Sequence, residues 1–132
     1  MLYVEDDADV AESTVAILES IGARVRVADS ADAAIETDLS EIDIVFFDVM
    51  MPGRMDGIEL AQWLAERHPD LPVVLTSGYM VAPERLQALD VQFVRKPFTI
   101  GKISDALVRA LRNSGAYRQA GVRSDIRTRS QP

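Results

Sequence analysis

The stretch Ile42–Gly53, which reads IDIVFFDVMMPG, constrains this chain more than any other. Ile42, Ile44, Val45, Phe46 and Phe47 form a short apolar run of β-branched and aromatic residues. That is the pattern of a strand covered on both faces within a parallel sheet. The run stops at a carboxylate, Asp48, and Pro52-Gly53 marks a turn shortly after it. In open α/β sheets, ligands gather at the carboxyl ends of the strands, so Asp48 stands where chemistry is done. A single Asp at a strand end is more often a plain cap. Its weight therefore depends on how the other strands end.

Taken in order, the chain supplies those strands. Leu2-Tyr3-Val4 is a very short strand that runs straight into Glu5-Asp6-Asp7. A first strand starting at residue 2 is expected of either a minimal domain or a segment of a longer chain. Val10, Thr14, Ile17, Leu18 and Ile21 fall at helical spacing, with Gly22 at the expected C-terminal cap. Ala23–Val27 alternates, as a strand near a sheet edge does. Ser30 is placed to cap a weak helix carrying Ala31, Ala34 and Ile35. After the central strand, a helix from Gly57 to Arg67 is expected to bury Ile58, Ala61, Leu64 and Ala65, and to end at His68-Pro69. Pro72–Leu75 reads as a fourth strand ending in Thr76-Ser77-Gly78. Pro83 suits the first turn of a helix with Leu86 and Leu89 inward. Val91–Val94 reads as a fifth strand followed by Arg95-Lys96-Pro97. The last helix spans about Ile100 to Arg112, with Ile100, Ile103, Leu107 and Leu111 as its stripe. Strands and helices that alternate in this way predict an α/β, (βα)5 fold: a five-stranded parallel sheet with helices on both faces and right-handed crossovers.

Composition sets the outer bounds. At 132 residues the chain is one domain, and 48% hydrophobic with 27% charged residues is ordinary for a globular one. No apolar run approaches the ~20 residues of a membrane span and no secretory leader is read at the start, so the expectation is a cytoplasmic protein with no membrane partner. The absence of cysteine excludes disulfides, thiolate metal sites and thiol catalysis. A net charge of -7 argues against nucleic-acid binding by the domain. From Tyr117 onward, Arg118, Arg123, Arg127 and Arg129 outnumber the one acid, Asp125. The expected division is thus a domain over residues 1–114 and a disordered basic tail over 115–132.

Four strand ends carry polar chemistry: Glu5-Asp6-Asp7, Asp48, Thr76-Ser77 and Lys96. In a parallel sheet those ends share one edge. Clustered carboxylates repel one another, and a divalent cation relieves this. Hard oxygen donors without His or Cys point to magnesium rather than zinc. Lys96 adds a mobile positive charge and Thr76 a hydroxyl. Such a set suits transfer of a phosphoryl group onto Asp48.

Five motifs in this order then resemble one family. VEDD at Val4–Asp7, FFDVMMPG at Phe46–Gly53, MDGIEL at Met55–Leu60, LTSG at Leu75–Gly78 and RKPF at Arg95–Phe98 are similar to the receiver domain of two-component response regulators, the CheY-like fold. The resemblance covers about Leu2 to Leu111. It implies that Asp48 accepts a phosphoryl group from a phosphohistidine on a histidine kinase or phosphotransfer protein. It also implies that Asp6 ligates Mg2+ directly, that Glu5 holds the metal mainly through water, and that Asp48 and the Met50 backbone carbonyl complete the protein ligands. Thr76, Ser77 and Lys96 would bind or flank the phosphoryl group, and the Lys96-Pro97 bond would be cis. Phe93 stands at the aromatic switch position, coupled to Thr76. The fourth helix, fifth strand and fifth helix would form the output face and a possible homodimer surface.

The departures are informative too. The loop PGRMDG is one residue longer than the commonest receiver form, and with Ser-Gly-Tyr after the threonine it looks like receivers attached to hybrid histidine kinases. Met50 and Gly78 offer neither acid nor amide to guide a water, so a long-lived phosphoryl state is expected. His68 reads as a helix cap or a solvated group, Trp63, Met55 and Met51 as packing or loop residues, and Tyr79 as either a residue at the site's rim or a plain loop aromatic. The leading function is a phosphorylation-controlled switch. A phosphorylation-independent interaction module is the alternative, and the complete acid, threonine and lysine set argues against it. A phosphohydrolase ranks last, because Met50 stands where its second acid would be.

Overall fold

The computed structural model describes residues 1–51, 53, 55–78, 83–87 and 89–113. Strands and helices alternate through β1 (Leu2–Val4), α1 (Ala8–Ser20), β2 (Arg26–Ala28), α2 (Ala31–Ile35), β3 (Val45–Asp48), α3 (Gly57–Arg67), β4 (Val73–Ser77), α4 (Pro83–Gln87), β5 (Gln92–Arg95) and α5 (Ile100–Asn113). The five strands form one sheet in the order β2-β1-β3-β4-β5, and each pairing is parallel. The expected fold class is the observed one. The chain leaves β1 in one direction toward β2 and in the other toward β3, so the sheet's switch point lies between β1 and β3. A parallel sheet of this kind opens its binding crevice there.

Alternation along the buried strands divides the core in two. Leu2, Val4, Val45, Phe47, Val73 and Leu75 face α2 and α3, together with Ile58, Ala61 and Leu64. Tyr3, Phe46 and Val74 face the other way, onto Ala11 and Leu18 of α1 and Ile103, Ala106 and Leu107 of α5. Side chains of period two on a strand buried on both sides require this. Leu86 and Leu89 pack against the first cluster, as their spacing predicts.

Capping sets where the helices start. Asp7 accepts from the Asp9 and Val10 amides and opens α1. Asp56 and Glu59 form a reciprocal capping box at α3, and Ser30 accepts from Ala33 at α2. Gly22, with φ at +96°, turns the chain out of α1 as a C-terminal glycine does.

Several boundaries and faces differ from expectation. β2 covers Arg26–Ala28 rather than Ala23–Val27. As the sheet's outer strand it forms only where β1 offers partners, and Leu2–Val4 reach no further. β4 runs on through Thr76 and Ser77, because β3 itself continues to Asp48 and pairs it with Thr76. β5 is shifted to Gln92–Arg95 by its pairing with Val74–Ser77. Val10 is 41% exposed and Ile100 is 51% exposed. Each lies in the first turn of its helix, and the faces that meet the sheet are Ala11-Thr14-Leu18 and Ile103-Ala106-Leu107-Ala110. Ala65 is likewise exposed, and Leu60 joins Ile58, Ala61 and Leu64 on the buried side of α3. The tail from residue 115, Pro52, and Tyr79 lie outside the described residues.

Candidate functional site

β3 delivers Asp48 to the carboxyl edge of the sheet, with Thr76 of β4 directly beside it. Both carboxylate oxygens of Asp48 are engaged. Oδ1 accepts the Met50 amide at 2.8 Å, closing a turn over the strand end. Oδ2 receives the Lys96 ammonium at 2.5 Å. The Asp48 side chain is 16% exposed and that of Lys96 37%. The carboxylate is thus mostly buried, and the lysine that meets it is partly exposed. Lys96 gets there because its amide donates to the Ser77 carbonyl at 2.9 Å, which carries the chain beyond β5 alongside β4. The Lys96-Pro97 bond is cis, as expected.

Thr76 is 2% exposed, and its Oγ1 has no hydrogen-bond partner among the described residues. A buried hydroxyl without a partner costs about 1–3 kcal/mol. Its position one strand from the Asp48 carboxylate makes it a donor held ready for an oxygen that arrives there. Ser77 is fully buried behind it. Phe93, opposite Leu75 in β5, is half-buried against the core cluster beneath α2 and α3.

The acidic run divides its labour. Asp7 is used as the cap of α1. Glu5 is half-buried, with Oε1 accepting the Tyr3 hydroxyl and Oε2 accepting the Asp7 amide, each at 3.2 Å. Burial raises the Glu5 pKa from its ordinary value; the Asp7 amide opposes the rise and the neighbouring Asp6 carboxylate adds to it. Asp6 is exposed beside it. Burial also lifts the Tyr3 hydroxyl far above its ordinary value, opposed by a hydrogen bond with Thr14 and reinforced by the charges of Glu5 and Asp48. Tyr3 therefore stays a proton donor throughout the working pH range.

Among the described residues, no three His, Cys, Asp or Glu side chains close on one point that could hold a metal. Glu5, Asp6 and Asp48 are not a three-acid cage: Asp48 faces Lys96, while Asp6 is exposed and adjoins Glu5. The donor set still fits a small hard cation in its chemistry. It offers oxygen alone, and such a cation needs only one or two carboxylates, with water filling the rest of its shell. The Met50 amide is engaged with Asp48.

Three features went unread in the sequence. Tyr3 is one, signalled only by a polar tip in an otherwise apolar strand. Gly57 is another: an added Cβ would stand 2.2 Å from the Asp48 carbonyl oxygen, so α3 begins flush against the end of β3. The third is the Arg85–Asp56 ion pair at 3.3 Å, which joins α4 to the cap of α3. His68 and Trp63 keep their structural reading. The His68 amide caps α3 at 2.7 Å on Leu64, and its ring lies 5.8 Å from that of Trp63.

Residues 1–108 match the response regulator receiver domain family. The chain is 34% identical to the nitrogen assimilation regulatory protein NtrX of Azorhizobium caulinodans over 84% of its own length, but it spans only 26% of that relative. It is 30% identical to the response regulator receiver protein CpdR of Brucella abortus, over 84% of this chain and 95% of CpdR. The crystal structure of the receiver domain of NtrX from Brucella abortus superposes with a TM-score of 0.73 at 30% identity, covering 86% of this chain and 98% of that one.

Proposed function

The chain belongs to the response regulator receiver domain family, and from that premise we propose that it is a phosphorylation-controlled switch whose acceptor is Asp48. The observation that carries this reading is the Lys96 ammonium on the Asp48 carboxylate, beside a buried Thr76 hydroxyl that has no partner. The unit is residues 1–114, and it acts as a signalling domain rather than as an enzyme with turnover.

Asp48 is the nucleophile. One carboxylate oxygen attacks the phosphorus of a phosphohistidine on a histidine kinase or phosphotransfer protein, the P–N bond breaks, and the imidazole leaves with the bonding pair. Before transfer, Lys96 holds the Asp48 oxygen and the Met50 amide fixes the plane of the carboxylate. After transfer, Lys96 follows the negative charge onto a phosphoryl oxygen and Thr76 Oγ1 donates to another, so its buried hydroxyl gains the partner it lacked. Ser77 bounds the phosphoryl group from behind. Glu5, Asp6, Asp48 and the Met50 carbonyl are the groups that would hold Mg2+. When bound, it neutralises charge that develops on the phosphoryl oxygens. Movement of Thr76 toward the phosphoryl group opens room for Phe93 and biases α4, β5 and α5, the face through which a partner or a second copy would be engaged.

Incubation with acetyl phosphate and Mg2+ tests this reading by mass. The expected result is an adduct of ~80 Da, the mass of one phosphoryl group, that is lost in Asp48→Asn. No adduct on the wild-type chain leaves the phosphorylation-independent module as the better account.

A further inference from the structure

We infer that Tyr3 is a positioning residue for the cation site: its hydroxyl, buried one turn of the pleat below the acids, sets the orientation of the Glu5 carboxylate. This inference rests on the functional reading above and adds to it a residue outside the acid, threonine and lysine set.

The argument begins with register. Leu2, Tyr3 and Val4 of β1 pair with Val45, Phe46 and Phe47 of β3. Continued by one residue, that register brings Glu5 level with Asp48. Residues two apart on a strand share a face, so Tyr3 and Glu5 lie on the same side of the sheet as Phe46 and Asp48. The lower pair is a ring stack, with Tyr3 and Phe46 centroids 5.4 Å apart at an interplanar angle of 20°. Phe98 closes on Phe46 edge-on at 6.1 Å. The ring of Tyr3 is therefore held by aromatic neighbours, and only its hydroxyl is left to point at the acid edge.

That hydroxyl donates to Glu5 Oε1, and the Asp7 amide donates to Oε2. Each oxygen of the carboxylate has its own donor. A free glutamate at this position would lose side-chain freedom when a cation binds. Here the side chain is already fixed. A phenylalanine would fill the same space and stack equally well, so packing alone does not call for the hydroxyl. Partners that orient a metal-binding carboxylate typically change metal affinity by 10- to 100-fold when removed.

The test is Mg2+ affinity measured by titration calorimetry on the wild-type chain and on Tyr3→Phe, with thermal denaturation of both in the absence of metal. The expected result is an Mg2+ dissociation constant roughly tenfold higher in Tyr3→Phe, alongside a lower metal-free melting temperature, because the buried Thr14 hydroxyl loses its bond to Tyr3. The loss should vanish in a Glu5→Ala background. Equal affinities in wild type and Tyr3→Phe overturn the inference while leaving the functional reading intact. A wild-type chain that takes up neither Mg2+ nor a phosphoryl group overturns both. Should Tyr3→Phe fail to fold, the Tyr3 ring resonances of the unaltered protein decide the matter. They should shift on addition of Mg2+ and stay still in Glu5→Ala; resonances indifferent to Mg2+ in the wild type overturn the inference.

Discussion

Replacing Gly57 with alanine should displace Asp48, the proposed acceptor, by pressing on its backbone. A Cβ on residue 57 would lie 2.2 Å from the Asp48 carbonyl oxygen, 2.6 Å from Val49 Cα and 2.9 Å from the Asp48 carbonyl carbon. All three are backbone atoms, so no side chain can swing aside. The start of α3 must back away from the end of β3 by about 1 Å in an interior packed to crystal-like density. Overpacking of this kind costs about 1–3 kcal/mol. The Gly57 amide also donates to the Val49 carbonyl at 2.9 Å, a bond worth about 1 kcal/mol that the shift would stretch. Alanine's better helix propensity returns less than about 1 kcal/mol. The net expectation is a loss of roughly 2–3 kcal/mol, or a melting temperature about 10 °C lower for a domain of this size. Moving the carboxylate by that distance should also slow phosphorylation from acetyl phosphate by about 100-fold. Gly101→Ala is the internal comparison. It is an exposed glycine in α5, the nearest contact of an added Cβ is Thr99 Oγ1 at 3.9 Å, and it should stabilise by about 0.5–1 kcal/mol. Thermal denaturation and adduct formation on both variants decide the point. A Gly57→Ala protein that melts with wild type and is phosphorylated at its rate would refute the close approach of α3 to Asp48.

Other consequences follow from the same geometry. Thr76→Val removes a buried hydroxyl that lacks a partner among the described residues, so the metal-free protein should gain about 1 kcal/mol; a destabilised valine variant contradicts this. Asp56→Ala removes both the capping box of α3 and the ion pair to Arg85. It should cost about 1–2 kcal/mol in denaturant unfolding, whereas Arg85→Ala, which breaks only the exposed pair, should cost at most about 0.5 kcal/mol. Because Met50 and Gly78 carry no group to guide a water, the phosphoryl state on Asp48 should outlast seconds; rapid decay of the adduct without a phosphatase, followed by mass, contradicts that expectation.

The fold was legible because hydrophobic runs on strands buried on both sides are hard to mistake, and because each is followed by a helix stripe. Element edges were less legible. β4 looked finished at Leu75, since Thr76 and Ser77 are polar, yet pairing with β3 draws both into the strand. Val10 and Ile100 were misread for a related reason: periodicity counts any apolar residue near the stripe, whereas the first turn of each helix overhangs the sheet. At the site, Asp48 and Lys96 meet as their strand-end positions imply. The division of labour among Glu5, Asp6 and Asp7 depended on a helix cap that no spacing rule separates from a ligand. Tyr3 and Gly57 escaped because their roles lie in contacts with a neighbouring strand, which a single chain read in order does not display.

A crystal structure with Mg2+ and beryllofluoride, a mimic of the phosphoryl group, tests the central claim most directly. The account predicts beryllium on an Asp48 oxygen, with Thr76 Oγ1 and Lys96 Nζ each at a hydrogen-bonding distance of about 3 Å from a fluorine. An analogue seated on another carboxylate, or one seated on Asp48 while Thr76 Oγ1 remains without a partner, would contradict it.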